Sequence, residues 1–358
     1  MGRLDAARRR VAAMSVRTAV PRGRIAVYGA YGHTARFVVA ELCRRGWTPI
    51  LCGRDAARLA ALAAGFPRLE TRVASTGDPG ALDRALGGAI AVVNCAGSFL
   101  DTATPLLEAA LRARIHYLDL AAEQRAALAT FARDADARAA GTTAVPAMAF
   151  YGGLADLLAT AALGDWRQAD AIDIAVALDS WHPTTGTRRT GERNHGPRLV
   201  VAGGQLRDLA DPPPTRDWTF PAPFGAQAAV GLPLSEIVVV ARHVRCAEVH
   251  SWMNLAPLQD LRDSSTPPPV PADASGRSAQ RFAMDVHVRR GDDLRRATAR
   301  GRDIYATSAP LVVEALERIL DGRASRAGVL AAGEAFDARG FLAAVSRDDE
   351  DFRVVFEP

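Results

Sequence analysis

The residues best placed for chemistry begin with Gly29-Ala30-Tyr31-Gly32-His33-Thr34-Ala35-Arg36, which lies between a short apolar run and an amphipathic one. A chain that turns tightly, brings backbone N–H groups against a pyrophosphate and packs the next helix on the preceding strand needs small residues at three set places. Gly29 suits the turn, Gly32 the close approach and Ala35 the packing. Tyr31, His33 and Thr34 share that turn, and the helix that follows would face an anion with its positive end. The pattern alone is weak, and an empty βα turn would also satisfy it. Its position after a first strand makes it a dinucleotide site.

The next stretch, Cys52-Gly53-Arg54-Asp55, falls where the second strand should meet the adenosine ribose. An acidic residue there serves the ribose hydroxyls of NAD, and an arginine serves the 2′-phosphate of NADP. Gly53 leaves room and Arg54 offers its guanidinium fork, while Asp55 suits a helix cap. The expected cofactor is NADP(H) in preference to NAD(H). Asn94-Cys95-Ala96-Gly97 ends the fourth strand, beside the crevice that holds the nicotinamide half, with Ser98 next to it. Cys95 itself reads as a core thiol, since nothing suggests a base beside it.

His116-Tyr117-Leu118-Asp119 lies along a fifth strand, with Glu123 beyond. Alternation puts Tyr117 and Asp119 on one face, and Asp119 near the carboxyl end, where a proton donor for imine or enoyl reduction would be useful. Asp119 could equally cap the following helix, and His116 could be a satisfied core histidine. Asp119, Tyr117 and Tyr151 form the candidate catalytic set. Residues 181–198 hold Trp181, His182, Arg188, Arg189, Arg193, His195 and Arg198. Of these, Arg188, Arg189 and His195 are candidates for binding a substrate carboxylate or phosphate, against the alternative of a solvated loop or dimer contact.

Absences narrow the chemistry. The chain contains no lysine, which excludes a P-loop lysine, a Schiff-base lysine and a Tyr-x-x-x-Lys pair. Neither G-x-S-x-G nor H-E-x-x-H occurs, and no carboxylate cluster has metal spacing, so no metal is expected. Cys43, Cys52, Cys95 and Cys246 lack C-x-x-C spacing and read as buried thiols in a reducing, cytoplasmic setting. A net charge of +4 with aromatics at only 6% gives no basic, aromatic-studded stripe, so nucleic acid is not an expected partner. No apolar run approaches the roughly eighteen residues of a membrane span. A small-molecule substrate and a possible homodimer are the expected partners.

Strand and helix signals alternate to about residue 150: strands near 24–28, 48–52, 69–74, 90–94, 115–120 and 142–146. Helices fall between them at 34–45, from Asp55 to Gly65, from Asp78-Pro79, from Thr104-Pro105 and across 122–139. This rhythm means an α/β fold with a Rossmann-type, doubly wound parallel sheet. Later the pattern loosens, with a helix at 154–163, strands at 171–178, 236–240 and 282–289, a proline-rich connection at 211–223, a surface loop at 267–276 and a helix at 308–320. The expected organisation is a disordered leader at 1–22 and a Rossmann domain at 23–150. A substrate or dimerisation α+β domain on a mainly antiparallel sheet follows at 151–307, and a helix and tail at 308–358 return to the first domain.

GAYGHTAR, VVNCAGSFLDTATPLLEAALRARIHYLDLAAE, VPAMAFYGGLADLLA, GTRRTG and DIYATSAPLVVEAL together resemble the saccharopine dehydrogenase-like oxidoreductases, including their trans-acting enoyl reductase branch. The resemblance covers most of the chain and implies hydride transfer to or from a C=N or conjugated C=C bond. Ser98 stands where that family usually has proline, Ala122 where glycine precedes the glutamate, and Tyr151 where aspartate is common. Those departures leave open a nucleotide-binding sensor or scaffold without catalysis, and a non-redox enzyme with a tightly bound internal NAD.

Overall fold

A computed structural model describes residues 22–357. The expected leader therefore lies almost wholly outside the described residues. Two sheets organise the chain.

The first sheet draws on β1 (Arg24–Tyr28), β2 (Thr48–Gly53), β3 (Glu70–Val73), β4 (Ala91–Asn94), β5 (His116–Asp119) and β6 (Thr143–Val145). Its helices are α1 (His33–Arg44), α2 (Ala56–Ala63), α3 (Pro79–Leu86), α4 (Phe99–Ala113), α5 (Gln124–Phe131) and α6 (Asp134–Ala140). The strand order is β3-β2-β1-β4-β5-β6, all parallel, with one further short strand beyond β6. The order reverses between β1 and β4, which opens a crevice at their carboxyl ends. β1 and β4 are buried along nearly their whole length, as strands covered on both faces must be.

Local chemistry explains the helix starts. Asp55 accepts the N–H of Arg58 at 3.0 Å and Asp78 that of Ala81 at 2.9 Å, so each caps its helix. The expected start at Thr104-Pro105 comes too late: α4 begins at Phe99, and Pro105 sits inside it. At the seventh residue of the helix, Pro105 removes one intrahelical N–H bond, the one its nitrogen would have made to the Asp101 carbonyl. The expected single helix over 122–139 is two, α5 and α6, separated at Arg133.

The second part contains α7 (Ala155–Leu163), β7 (Gln168–Leu178), α8 (Thr185–Arg193), β8 (Leu199–Ala202), β9 (Gln205–Asp208), β10 (Thr215–Phe220), β11 (Gly225–Gly231), α9 (Ser235–Ala241), β12 (Arg245–Asn254), α10 (Ala256–Arg262), β13 (Arg281–Arg290) and β14 (Asp293–Arg302). The chain ends with α11 (Ile304–Leu320), β15 (Gly328–Val329), α12 (Ala332–Ala335), α13 (Ala338–Asp348) and β16 (Arg353–Glu357). The second sheet runs β10-β11-β12-β7-β13-β14-β16, antiparallel except for β12 beside β7, with β8 and β9 branching from β12. The strand expected at 236–240 is a correction: it is the helix α9. The run Glu236-Ile237-Val238-Val239-Val240 has the β-branched composition of a strand, but all of it is buried between α5 and the second sheet. Tertiary burial overrides propensity there. Within the proline-rich connection at 211–223, β10 is a further strand that the sequence reading missed.

Apolar residues Ile172, Ile174, Val176, Val286 and Val288 face α7 and the main core. The opposite face carries Asp173, Ala175, Ala177 and Asp285. Trp218 of β10 donates its indole N–H to Asp285 at 2.9 Å. In a flat sheet those strands, with three others between them, would lie roughly 19 Å apart. The β10–β11 hairpin must therefore curl back across that face. α11 lies along α1, β15 joins the first sheet beside β6, and β16 joins the second beside β14.

Candidate functional site

A cleft of about 930 Å³ opens at the carboxyl ends of β1 and β4 and runs beneath α8. Its floor is the glycine turn. Gly29 has φ +76°, and a Cβ there would stand 2.8 Å from the Cβ of Ala96, so both turn and close approach require glycine. Gly32 is the N-cap of α1 and supplies no side-chain cap, leaving the first-turn N–H groups directed at the cleft. Tyr31, His33 and Thr34 line it too. A Cβ on Gly53 would meet the Tyr31 ring at 2.7 Å, so Gly53 is what lets that ring lie over the end of β2.

Arg54 lines the cleft beside the end of β2, and Arg36, Arg58 and Thr76 line it too. Arg58 stacks on the Tyr31 ring, 4.3 Å from its centroid. Sequence reading missed Arg36, Arg58 and Thr76. Arg58 was recoverable, because it follows the Asp55 cap by three residues and so shares the first turn of α2 beside Arg54.

Across the crevice, Cys95, Ala96 and Gly97 line the cleft, whereas Asn94 and Ser98 do not. This is a correction, with a clear cause. Asn94 is fully buried. Its Nδ2 donates to Thr102 Oγ1 at 3.1 Å and to the Tyr117 hydroxyl at 3.3 Å, while its Oδ1 accepts the N–H of Ala96 at 3.0 Å. Asn94 therefore holds the loop's shape. Ser98 is buried at the start of α4, whose first N–H (Phe99) is taken at 3.0 Å by Glu123. Burial, with the Asp119 charge adding to it, pushes the Cys95 thiol well above its usual range, where no catalytic thiolate forms.

Asp119 and Tyr117 are likewise absent from the cleft wall. Asp119 is fully buried. It accepts the Tyr117 hydroxyl at 2.9 Å and the N–H groups of Ala121 at 3.0 Å and Ala147 at 2.7 Å. The expected shared face of Tyr117 and Asp119 is real, but it points into the protein. Burial raises the Asp119 pKa against those three bonds. His116 accepts the N–H of Thr143 at 3.1 Å through Nδ1.

Tyr151 does line the cleft. It sits in a π-helical turn, Phe150–Leu154, whose glycines fit against the 147–148 backbone: a Cβ on Gly152 would meet the Ala147 carbonyl at 2.5 Å. Phe150 N–H donates to Ser308 Oγ at 3.2 Å. Asp119 thus acts on this turn through Ala147, as a positioning residue. The Tyr151 hydroxyl is buried and has no hydrogen-bond partner among the described residues. Burial raises its pKa well above the usual value, so the phenol is neutral and able to donate.

The roof comes from the second part. Trp181 Nε1 donates to the Tyr305 hydroxyl at 3.0 Å, and Thr187 Oγ1 meets the same hydroxyl at 2.9 Å. The Tyr305 ring stands edge-on to His33 at 5.3 Å, joining roof to floor. Arg188 and Arg189 line the cleft, with Arg188 donating to the carbonyls of Asp263 at 3.2 Å and Thr266 at 2.9 Å. His195 is exposed and lies off the cleft wall, its side chain turned to solvent between Asn194 and Arg198, which do line the cleft. Cys43 is exposed on α1, a correction to the expectation that all four thiols are buried; Cys52 is buried, and Cys95 and Cys246 are partly so. No group of three or more potential metal ligands occurs among the described residues, and no described helix is long and apolar enough to cross a membrane.

Fold and cleft define a dinucleotide-binding protein of the doubly wound class. Residues 25–145 match the family model described as the saccharopine dehydrogenase NADP binding domain. Among solved structures, saccharopine dehydrogenase (L-Glu forming) from Saccharomyces cerevisiae is 12% identical. The match covers 94% of this chain and 100% of that one, with a TM-score of 0.67. WlbA dehydrogenase from Thermus thermophilus, in complex with NAD and alpha-ketoglutarate, is 13% identical over 90% of this chain and 92% of its own, at TM-score 0.42. A Citrobacter sp. triphenylmethane reductase complexed with NADP(H) is 20% identical over 34% and 48%, at 0.29. No curated protein matches the chain. Residues 25–145 thus form a saccharopine dehydrogenase-like NAD(P)-binding domain, and the chain shares the fold of saccharopine dehydrogenase.

Proposed function

We propose that the protein uses NADP(H) to move a hydride to or from a C=N or conjugated C=C bond of a small molecule, with Tyr151 exchanging the accompanying proton. The observation that carries this reading is one continuous cleft. It joins the Gly29–Thr34 turn and the Arg54–Arg58 pair at one end to the unpartnered, buried Tyr151 hydroxyl at the other. When bound there, the cofactor supplies or accepts the hydride.

The chain's own residues do the rest. N–H groups at the start of α1 face the pyrophosphate, and Arg54 with Arg58 serves the 2′-phosphate. Cys95, Ala96 and Gly97 border the nicotinamide, on a loop stiffened by Asn94 and Thr102. Trp181, Tyr305 and Thr187 keep water from the reacting face. Tyr151 holds its proton at Oη until the substrate's nitrogen or carbon takes it, or receives one in the reverse direction. Residues 151–307 furnish this roof, and a homodimer built on the second sheet fits its open edges.

Turnover of NADPH against a panel of cyclic imines and enoyl thioesters tests the proposal. Tyr151→Phe should lower kcat by about a hundredfold or more, in line with general acid catalysis, and leave NADPH affinity unchanged. Full activity in that variant would remove Tyr151 from the chemistry. No turnover of any member by the native protein would count against the reductase reading.

A further inference from the structure

Arg198 is a half-buried cation in the cleft wall with no carboxylate partner among the described residues. It lines the cleft beside Leu234 and makes a single side-chain hydrogen bond, to the Pro233 carbonyl at 2.9 Å. No carboxylate among the described residues lies within 4.0 Å of it. Burial lowers its pKa from the usual value, with Glu236 and Tyr151 the charges it senses. Glu236 is held away: Oε1 accepts the N–H of Leu234 at 2.8 Å, and Oε2 has no partner among the described residues. A desolvated guanidinium left unpaired is costly, and a protein that retains one normally pairs it with a ligand anion.

The position is also rigid. The next residue, Leu199, is clasped by Gln124, whose Oε1 accepts the Leu199 N–H at 2.8 Å and whose Nε2 donates to its carbonyl at 2.7 Å. The Arg198 carbonyl accepts the N–H of Leu209 at 2.7 Å. Ser235 ties the same corner to the first domain through Ala122 at 3.0 Å and Ala121 at 3.0 Å. The guanidinium is therefore presented on a fixed backbone to the end of the cleft that holds Tyr151, away from the pyrophosphate turn. The cleft wall also carries the mutually packed rings of Phe150, Tyr151 and Trp181, together with Leu234.

We propose that Arg198 binds a carboxylate on the substrate, so that the substrate class is a carboxylic acid with an apolar body. One planar fork with a free edge matches the two oxygens of one carboxylate. The inference deepens the oxidoreductase reading above and rests on it for the reducible bond, which would lie between this carboxylate and the Tyr151 hydroxyl.

Calorimetric titration of the full chain, alone and loaded with NADPH, can use phenylacetate and 4-phenylbutyrate against phenylacetamide and 4-phenylbutyramide. The acids should bind at least about tenfold more tightly than their amides. Arg198→Gln should reduce that preference to within about twofold and leave NADPH affinity unchanged. Should the glutamine variant fail to fold, Arg198→Lys is expected to keep the preference for acids while binding them several-fold more weakly, because it loses the fork. Equal binding of acid and amide by the native protein, or binding of neither at millimolar concentration, overturns the assignment whatever the variants do. So does a preference that survives in Arg198→Gln, and a tenfold loss of NADPH affinity there would give Arg198 to the cofactor instead. A preference for acids without NADPH binding would sustain the anion site and sink the oxidoreductase reading.

Discussion

Asp119 shows how a residue type suited to chemistry can be committed to structure. Its carboxylate holds three donors from three places: the Tyr117 hydroxyl and the N–H groups of Ala121 and Ala147. Asp119→Ala would leave those donors buried and unsatisfied. A loss of roughly 3 kcal/mol is expected, read as a lower urea midpoint. Near-native stability would show that water replaces the carboxylate. Glu236 makes the opposite kind of prediction. Burial raises its pKa from 4.5 to about 7 in the folded protein. Between those values the folded state binds the extra proton, so stability falls as pH rises from about 4.5 to 7 and stays low above it. The decline is on the order of 3 kcal/mol. Glu236→Gln should flatten it and raise the Tm at pH 8; a variant with the native pH profile would place the titration elsewhere. Neither residue's role was legible in sequence. The type of side chain is visible there, but whether its strand end points at the crevice or into the core depends on what packs over it.

At the scale of elements, the first domain was the more readable half. Parallel strands buried on both faces write themselves as apolar runs, and Asp55, Asp78 and the glycines mark the helix ends by local chemistry. The glycine turn is the sharpest case. Gly29→Ala should cost about 1–2 kcal/mol from the left-handed backbone alone, and should weaken cofactor binding at least tenfold by pushing Ala96 away. Unchanged affinity would mean that the turn does not touch the cofactor. The second half was harder to read. The β-branched run of α9 looks like a strand until the packing around it is known. β10 is hidden between prolines, and its Trp218 reports only through Asp285, 67 residues away. Such long-range pairings leave no periodic trace in the sequence. The cleft roof was missed for the same reason, since Trp181, Thr187 and Tyr305 meet only after folding.

For the molecule as a whole, the last long helix ties the chain's end to its beginning. Arg45, at the end of α1, donates to Glu314 at 2.9 Å and Glu317 at 2.7 Å on α11, and Trp47 Nε1 donates to Glu317 at 3.1 Å. Arg45 is nearly buried, so Arg45→Ala would remove the one guanidinium shared by both glutamates, leaving Arg318 on Glu314 and Arg22 on Glu317. A loss of about 3–5 kcal/mol is expected in thermal or urea unfolding. A loss below 1 kcal/mol would mean that the helices hold together by apolar packing alone. That clamp keeps the glycine turn and the roof in register, and the account depends on a dinucleotide lying between them. The most direct measurement follows nicotinamide fluorescence while the native protein and Arg54→Ala are titrated with NADPH and NADH. NADPH should bind at least about tenfold more tightly than NADH to the native protein, and Arg54→Ala should remove most of that preference. Tighter NADH binding, or a preference untouched by the substitution, would contradict the account.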